Sequence, residues 1–122
     1  MAKILICDDS ILARSQMRDM LSSIDSSYEV LEAKDGAEAV EVYKANKPDM
    51  AFLDIVMPVK NGIDVVKEII EFDKDAKIIM ASSLGNNSNL KAALEGGALD
   101  FIQKPVDEER LREILSKNLG GR

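Results

Sequence analysis

Five short aliphatic runs, each followed by a stretch with helical spacing, constrain this chain more than any other feature. The runs are Lys3 to Cys7, Glu29 to Ala33, Met50 to Leu53, Lys77 to Ala81 and Leu99 to Gln103. Several are apolar almost throughout, as expected for strands covered on both faces. Between them, apolar residues recur at three- and four-residue intervals. Met17, Met20, Leu21 and Ile24 form one such stripe, and Val66, Ile69 and Ile70 another. Leu111, Ile114 and Leu115, continued by Leu119, form the last. Boundary residues agree with this division. Asp9 or Ser10 is placed to cap the first helix and Asp107 the last, with Glu108 and Glu109 favourable in its first turn. Pro48 stops the second helix, and Gly96-Gly97 ends the fourth.

Strict alternation of strand and helix means a parallel sheet with helices on both faces. Right-handed crossovers leave few topologies. The pattern predicts an α/β fold: a doubly wound (βα)5 unit, five parallel strands in the order 2-1-3-4-5, flavodoxin-like. The chain has 122 residues, 46% of them apolar, which suits one hydrophobic core. No internal repeat, low-complexity segment or domain boundary interrupts it, so residues 1–122 are expected to form a single domain. In sheets of this order, ligands bind beyond the carboxyl ends of the strands, where strands 1 and 3 diverge.

Composition removes several kinds of chemistry. The chain has no histidine and a single cysteine, Cys7. Cys/His zinc sites, histidine bases and an internal disulfide are therefore excluded. Any metal site must be built from oxygen ligands, which suits Mg²⁺, Mn²⁺ or Ca²⁺. A net charge of −6 argues against direct nucleic-acid binding. The apolar runs are strand-length, too short to cross a membrane, and the N-terminal segment lacks the pattern of a signal peptide. A cytoplasmic location is expected.

The polar residues of interest follow the strands. Asp8 and Asp9 come after the first, Asp54 after the third, Ser82 and Ser83 after the fourth, and Lys104-Pro105 after the fifth. A parallel sheet gathers all of them on one edge. Three carboxylates crowded there repel one another and call for a cation, for which Mg²⁺ is well suited. With a cation bound, one carboxylate could attack phosphorus while the metal and a lysine neutralise the transferring oxygens. Asp54 is the best nucleophile, alone at the end of the central strand. Asp8 and Asp9 would hold the metal, Ser82 would contact the phosphate and Lys104 would pair with it. Taken one at a time, these residues have plainer readings. An Asp pair is commonly a helix cap, Asp54 could be a turn residue before Met57-Pro58, and Phe101 could be an edge aromatic.

In combination they carry a resemblance. Asp8-Asp9-Ser10 with Arg14, Leu53-Asp54-Ile55-Val56-Met57-Pro58 with Asn61-Gly62, the strand end Ile79 to Ser83, and Gly97 to Pro105 resemble a response-regulator receiver domain over essentially the whole chain. The opening motif, and a sequence that stops after the fifth helix, are most similar to single-domain chemotaxis-type regulators. The resemblance implies a phosphoacceptor signalling protein of a two-component system. Such a protein is not an enzyme beyond its own phosphorylation and dephosphorylation. Asp54 would take the phosphoryl group from a histidine kinase. Asp9, Asp54 and the Val56 carbonyl would bind Mg²⁺, with Asp8 acting through water. Ser82 and Phe101 would form the switch pair, and the Lys104-Pro105 bond would be cis. The readout face would be helix 4, strand 5 and helix 5. It would address a downstream protein such as a flagellar motor switch, with no nucleic acid or membrane bound directly.

Two other roles within that resemblance remain open: a phosphorelay intermediate, and the receiver part of a longer regulator. A metal-dependent phosphohydrolase is disfavoured, since Val56 stands where such an enzyme would want a carboxylate. A nucleotide- or flavin-binding protein lacks its glycine-rich loop here. Three departures from the family pattern stand out. Ser82 replaces the commoner threonine, Phe101 the frequent tyrosine, and Val56 and Leu84 are both apolar beside the expected phosphate position. Neither Val56 nor Leu84 can orient an attacking water, so the aspartyl phosphate is expected to hydrolyse slowly. Val56→Asn should shorten its lifetime, measured as loss of acid-labile phosphate over time; an unchanged lifetime would refute the idea.

Overall fold

The computed structural model describes residues 2–55, 61–82 and 87–119. Five strands and five helices alternate along the chain. The strands are β1 (Lys3–Cys7), β2 (Glu29–Ala33), β3 (Met50–Asp54), β4 (Ile78–Ser82) and β5 (Asp100–Gln103). The helices are α1 (Ile11–Ile24), α2 (Gly36–Asn46), α3 (Gly62–Phe72), α4 (Asn87–Glu95) and α5 (Glu108–Asn118). All strand pairs are parallel and the order is β2-β1-β3-β4-β5, as the sequence pattern predicts. Four strand ends move by one residue. Lys77 and Leu99 precede their strands, and Asp54 and Ser82 are the last residues of theirs rather than the first beyond. Leu99 still donates its amide to the Ile78 carbonyl at 2.9 Å, so the sheet's bonding begins one residue before β5 itself.

Alternation along the strands divides the core in two. Leu5 and Cys7 of β1, Ala51 and Leu53 of β3, and Ile78 and Met80 of β4 face α2 and α3, where they meet Val40, Tyr43, Val65, Val66 and Ile69. Ala93 of α4 closes the same layer. Ile4 and Ile6, Met50 and Phe52, Ile79 and Ala81, and Ile102 face the other way. They meet Met17 and Leu21 of α1 and Leu111, Ile114 and Leu115 of α5. A parallel sheet must be covered on both sides, and the near-continuous apolar runs of β1, β3 and β4 are the sequence form of that requirement.

Four of the helices, α1, α2, α3 and α5, start with a side-chain acceptor for an orphan amide. Ser10 accepts from the Ala13 amide, Asp35 from Glu38, Asn61 from Asp64 and Asp107 from Arg110. Of the two caps open to α1, Ser10 is the one used. Asp9 is thereby released from capping, and Asp8 Oδ1 accepts the Ser10 amide at 2.9 Å. Helix α2 stops at Asn46 because Lys47 turns into the left-handed region (φ 44°), ahead of Pro48.

Gly62 couples the fold to the end of β3. Its amide donates to the Ile55 carbonyl at 2.9 Å. A Cβ built there would lie 2.7 Å from the Asp54 carbonyl oxygen and 2.9 Å from the Ile55 Cα, both backbone atoms with nowhere to go. Gly62→Ala therefore sets a helix-propensity gain of at most about 1 kcal/mol against overpacking of about 1 to 3 kcal/mol. A net loss of about 1 to 2 kcal/mol is expected in urea unfolding, and a neutral result would mean that the start of α3 can slide away from β3.

Candidate functional site

The register of the sheet assembles the site. Cys7 pairs with Leu53, so Asp8 and Asp54 leave β1 and β3 side by side. Asp54 is level with Ala81 of β4, and Ser82 with Gln103 of β5, which brings Lys104 to the same rim. The Lys104 amide donates to the Ser82 carbonyl at 2.8 Å, tying the end of β5 to the end of β4. The Lys104-Pro105 peptide is cis, as the resemblance implies.

One ammonium joins two carboxylates. Lys104 Nζ donates to Asp8 Oδ2 at 2.7 Å and to Asp54 Oδ2 at 2.8 Å. Asp8 is nearly buried, at 6% exposure, and its other oxygen takes the Ser10 amide. Asp9, more exposed, completes an acidic group with Asp8 and Asp54. One carboxylate oxygen from each lies within 4.8 Å of the others. Asp8, Asp9, Asp54 and Lys104, far apart in sequence, therefore meet as expected. Burial opposes the charge on Lys104, but its hydrogen bonds to Asp54 and Asp8 outweigh that and raise its pKa.

The remaining expected residues lie as follows. Ser82 is buried, at 5% exposure, at the carboxyl end of β4. Phe101 sits on the edge strand β5, paired in register with Met80, and the residue is 37% exposed. The Phe101 carbonyl accepts from Arg110 Nη2 at 3.1 Å, and the same guanidinium reaches Asp100 Oδ1 at 3.3 Å. Val56 and Leu84 lie outside the described residues. Cys7 is the small buried residue that the sequence suggests. Its thiol is pushed up to about 12, first by burial and then by the neighbouring carboxylates Asp35, Asp8 and Asp54, so it stays protonated and unreactive at neutral pH.

Two residues gain a part that the sequence reading did not give them. Gly62 allows the close approach described above. Arg14, noted only within the opening motif, bonds the Asp8 carbonyl through Nη1 and Glu32 Oε1 through Nε, the latter at 3.0 Å. Its place in the first turn of α1, six residues after Asp8, was the available signal. Its partner on β2 could be found only after the strands had been paired.

With this geometry in hand, comparison with known proteins is decisive. A family model described as the response regulator receiver domain matches residues 4–116. The chain belongs to this family. It is 44% identical to the chemotaxis protein CheY of Thermotoga maritima over 116 residues, which cover 94% of this chain and 95% of that one. It is 42% identical to the chemotaxis protein CheY of Bacillus subtilis over 118 residues, covering 96% and 97%. The crystal structure of a CheX-CheY-BeF3-Mg+2 complex from Borrelia burgdorferi contains a chain of 36% identity that matches with a TM-score of 0.86. That match covers 95% of this receiver and 87% of the other chain. No helix among the described residues of this receiver is long and apolar enough to cross a membrane.

The shared ammonium makes the site sensitive to its own charge balance. Lys104→Met leaves Asp8 and Asp54 facing each other without it. Breaking a partly buried pair of this kind costs about 2 kcal/mol, to be read at neutral pH by urea unfolding in a metal chelator. Adding Asp54→Asn should recover part of that loss, because it removes one of the two repelling charges. The pH dependence follows from the raised Lys104 pKa. Its contribution is complete below the ordinary lysine value of 10.5 and is lost as pH rises through the higher folded-state value. The unaltered chain should lose this increment in alkali, and Lys104→Met should lack that step.

Proposed function

We propose that this receiver, acting as one unit over residues 1–122, is a phosphoacceptor signalling protein. Asp54 takes a phosphoryl group from a histidine kinase. The observation that carries this reading is the Lys104 ammonium, which Asp8 and Asp54 share at the carboxyl edge of the sheet beside Asp9. Such a rim has a nucleophilic oxygen, fixed countercharge and room for a hard cation in one place.

Mg²⁺ fits the donor set, since carboxylates are hard oxygen ligands and this ion prefers one or two of them together with waters and phosphate oxygens. Asp9 and Asp54, with the Val56 carbonyl, would hold it directly, and Asp8 through water. When bound, it supplies charge neutralisation on the transferring oxygens. The Borrelia burgdorferi relative, crystallised with Mg²⁺ and BeF3, supports that choice.

The chain's own residues account for the rest of the transfer. An Asp54 carboxylate oxygen attacks phosphorus, the bond from phosphorus to the donor's imidazole nitrogen breaks, and the electron pair returns to the imidazole. Lys104 has three donors, two of them given to Asp8 and Asp54, and the third is suited to a phosphoryl oxygen. Ser82, at the end of β4, offers its hydroxyl to another. The new group brings about 1.5 to 2 negative charges, and Lys104 and Ser82 are the side chains positioned to answer them.

Phosphorylation then shifts a two-state equilibrium, with Ser82 turning toward the phosphate and the Phe101 ring moving inward behind it. The readout surface is the face formed by α4, β5 and α5, where Leu94, Leu99 and Phe101 are exposed. The likeness to chemotaxis proteins favours a flagellar switch component as the downstream partner. The test is mass spectrometry after incubation with acetyl phosphate and Mg²⁺. The unaltered chain should gain one acid-labile phosphoryl group that requires the metal, and Asp54→Ala should gain none. Equal labelling of both chains would move the acceptor elsewhere.

A further inference from the structure

The acidic rim is anchored from behind. Arg14 is largely covered, with 13% of its side chain exposed, and its guanidinium spans two elements. Nε donates to Glu32 Oε1 on the edge strand β2 at 3.0 Å, while Nη1 donates to the backbone carbonyl of Asp8. Glu32 is itself held, since Arg18 Nε, one turn further along α1, donates to Oε2 at 2.8 Å. The bond from Arg18, opposed by burial and supported by Arg14, keeps the Glu32 carboxyl below its usual range. The acceptor on Asp8 matters because its carbonyl belongs to the peptide unit that leads into Asp9. Fixing that oxygen fixes the plane from which the two neighbouring carboxylates project.

We propose that Arg14, braced by Glu32, is a positioning residue for the cation-binding carboxylates: it fixes the Asp8–Asp9 peptide so that both side chains meet Asp54. The proposal rests on the Mg²⁺-dependent reading of the site given above. Arginine suits the task because its planar fork presents Nε and Nη1 in fixed relation, so one side chain holds a carboxylate and a carbonyl together. A lysine offers the same charge from a single nitrogen and cannot keep that geometry. The device also gives Glu32, on the outer strand, an influence on cation binding through the two groups Arg14 joins.

The sign of the effect separates position from charge. Removing a cation from behind three carboxylates should, by Coulomb's law alone, tighten binding of Mg²⁺. Loss of positioning should weaken it, by about 10-fold where supporting residues of metal ligands are removed. Isothermal titration of the metal-free full chain with MgCl₂ reads this directly for the unaltered protein, Arg14→Ala, Arg14→Lys and Glu32→Gln. Weaker binding is expected in all three, with the smallest change for Glu32→Gln. A second readout needs no metal. The Ser10 amide, bonded to Asp8 Oδ1, should exchange its hydrogen faster in both Arg14 variants than in the unaltered chain. Unaltered or tighter Mg²⁺ binding in either Arg14 variant overturns the proposal. If Arg14→Ala does not fold, Arg14→Lys, which keeps the charge and loses the fork, carries the test on the same criterion. No Mg²⁺ binding by the unaltered chain would defeat the functional reading itself, a result distinct from equal binding by all four.

Discussion

The site depends on one ammonium group placed between two carboxylates. Asp8 follows β1 directly, Asp54 ends the adjacent β3, and Asp9 is close by. At the reduced dielectric of a partly buried rim, their mutual repulsion would push the loops apart. Lys104 opposes that, with one hydrogen bond to each of Asp8 and Asp54. It does so from the far end of the chain, across separations of 96 and 50 residues. The arrangement leaves the acidic oxygens gathered. On the proposed function, a divalent cation or a phosphoryl group arriving there would perturb a balance already set.

The pleat of the sheet decides which groups can join that balance. Ile4 and Ile6 in β1, Met50 and Phe52 in β3, and Ile102 in β5 all face α1 and α5. Continued by two residues, the same alternation leads to Asp8, Asp54 and Lys104. Phe101 has the opposite parity and is paired with Met80, whose side chain belongs to the layer under α2 and α3. Ser82 follows Met80 by two and shares its parity. By this parity the charged trio lies on one side of the sheet and Ser82 and Phe101 on the other.

The supporting contacts come from elements that carry no charged group of the site. Gly62 lets α3 sit against the backbone of Asp54 and Ile55, and Arg14 ties the peptide after Asp8 to β2. Both act on backbone rather than on carboxylates. The positions of acidic side chains that repel one another are better fixed through the chain than through the side chains alone.

Much of this was legible in the sequence. Five apolar runs gave the strands to within a residue at their ends, and the alternation with helices gave the strand order, because parallel connections have one hand. The residues of the rim were legible too, since a polar residue that ends a buried strand must emerge at the carboxyl edge. What the sequence could not supply was register. Whether Arg14 meets Glu32, whether Gly62 touches Asp54, and whether Lys104 reaches both aspartates or one depends on the relative height of strands that are distant in the chain. A one-residue slip along a parallel pair keeps every strand intact and sends each side chain to the other face. Local pattern therefore determined which elements form and what stands at their ends. Packing of α1, α3 and α5 against the sheet fixed the heights, and with them the contacts.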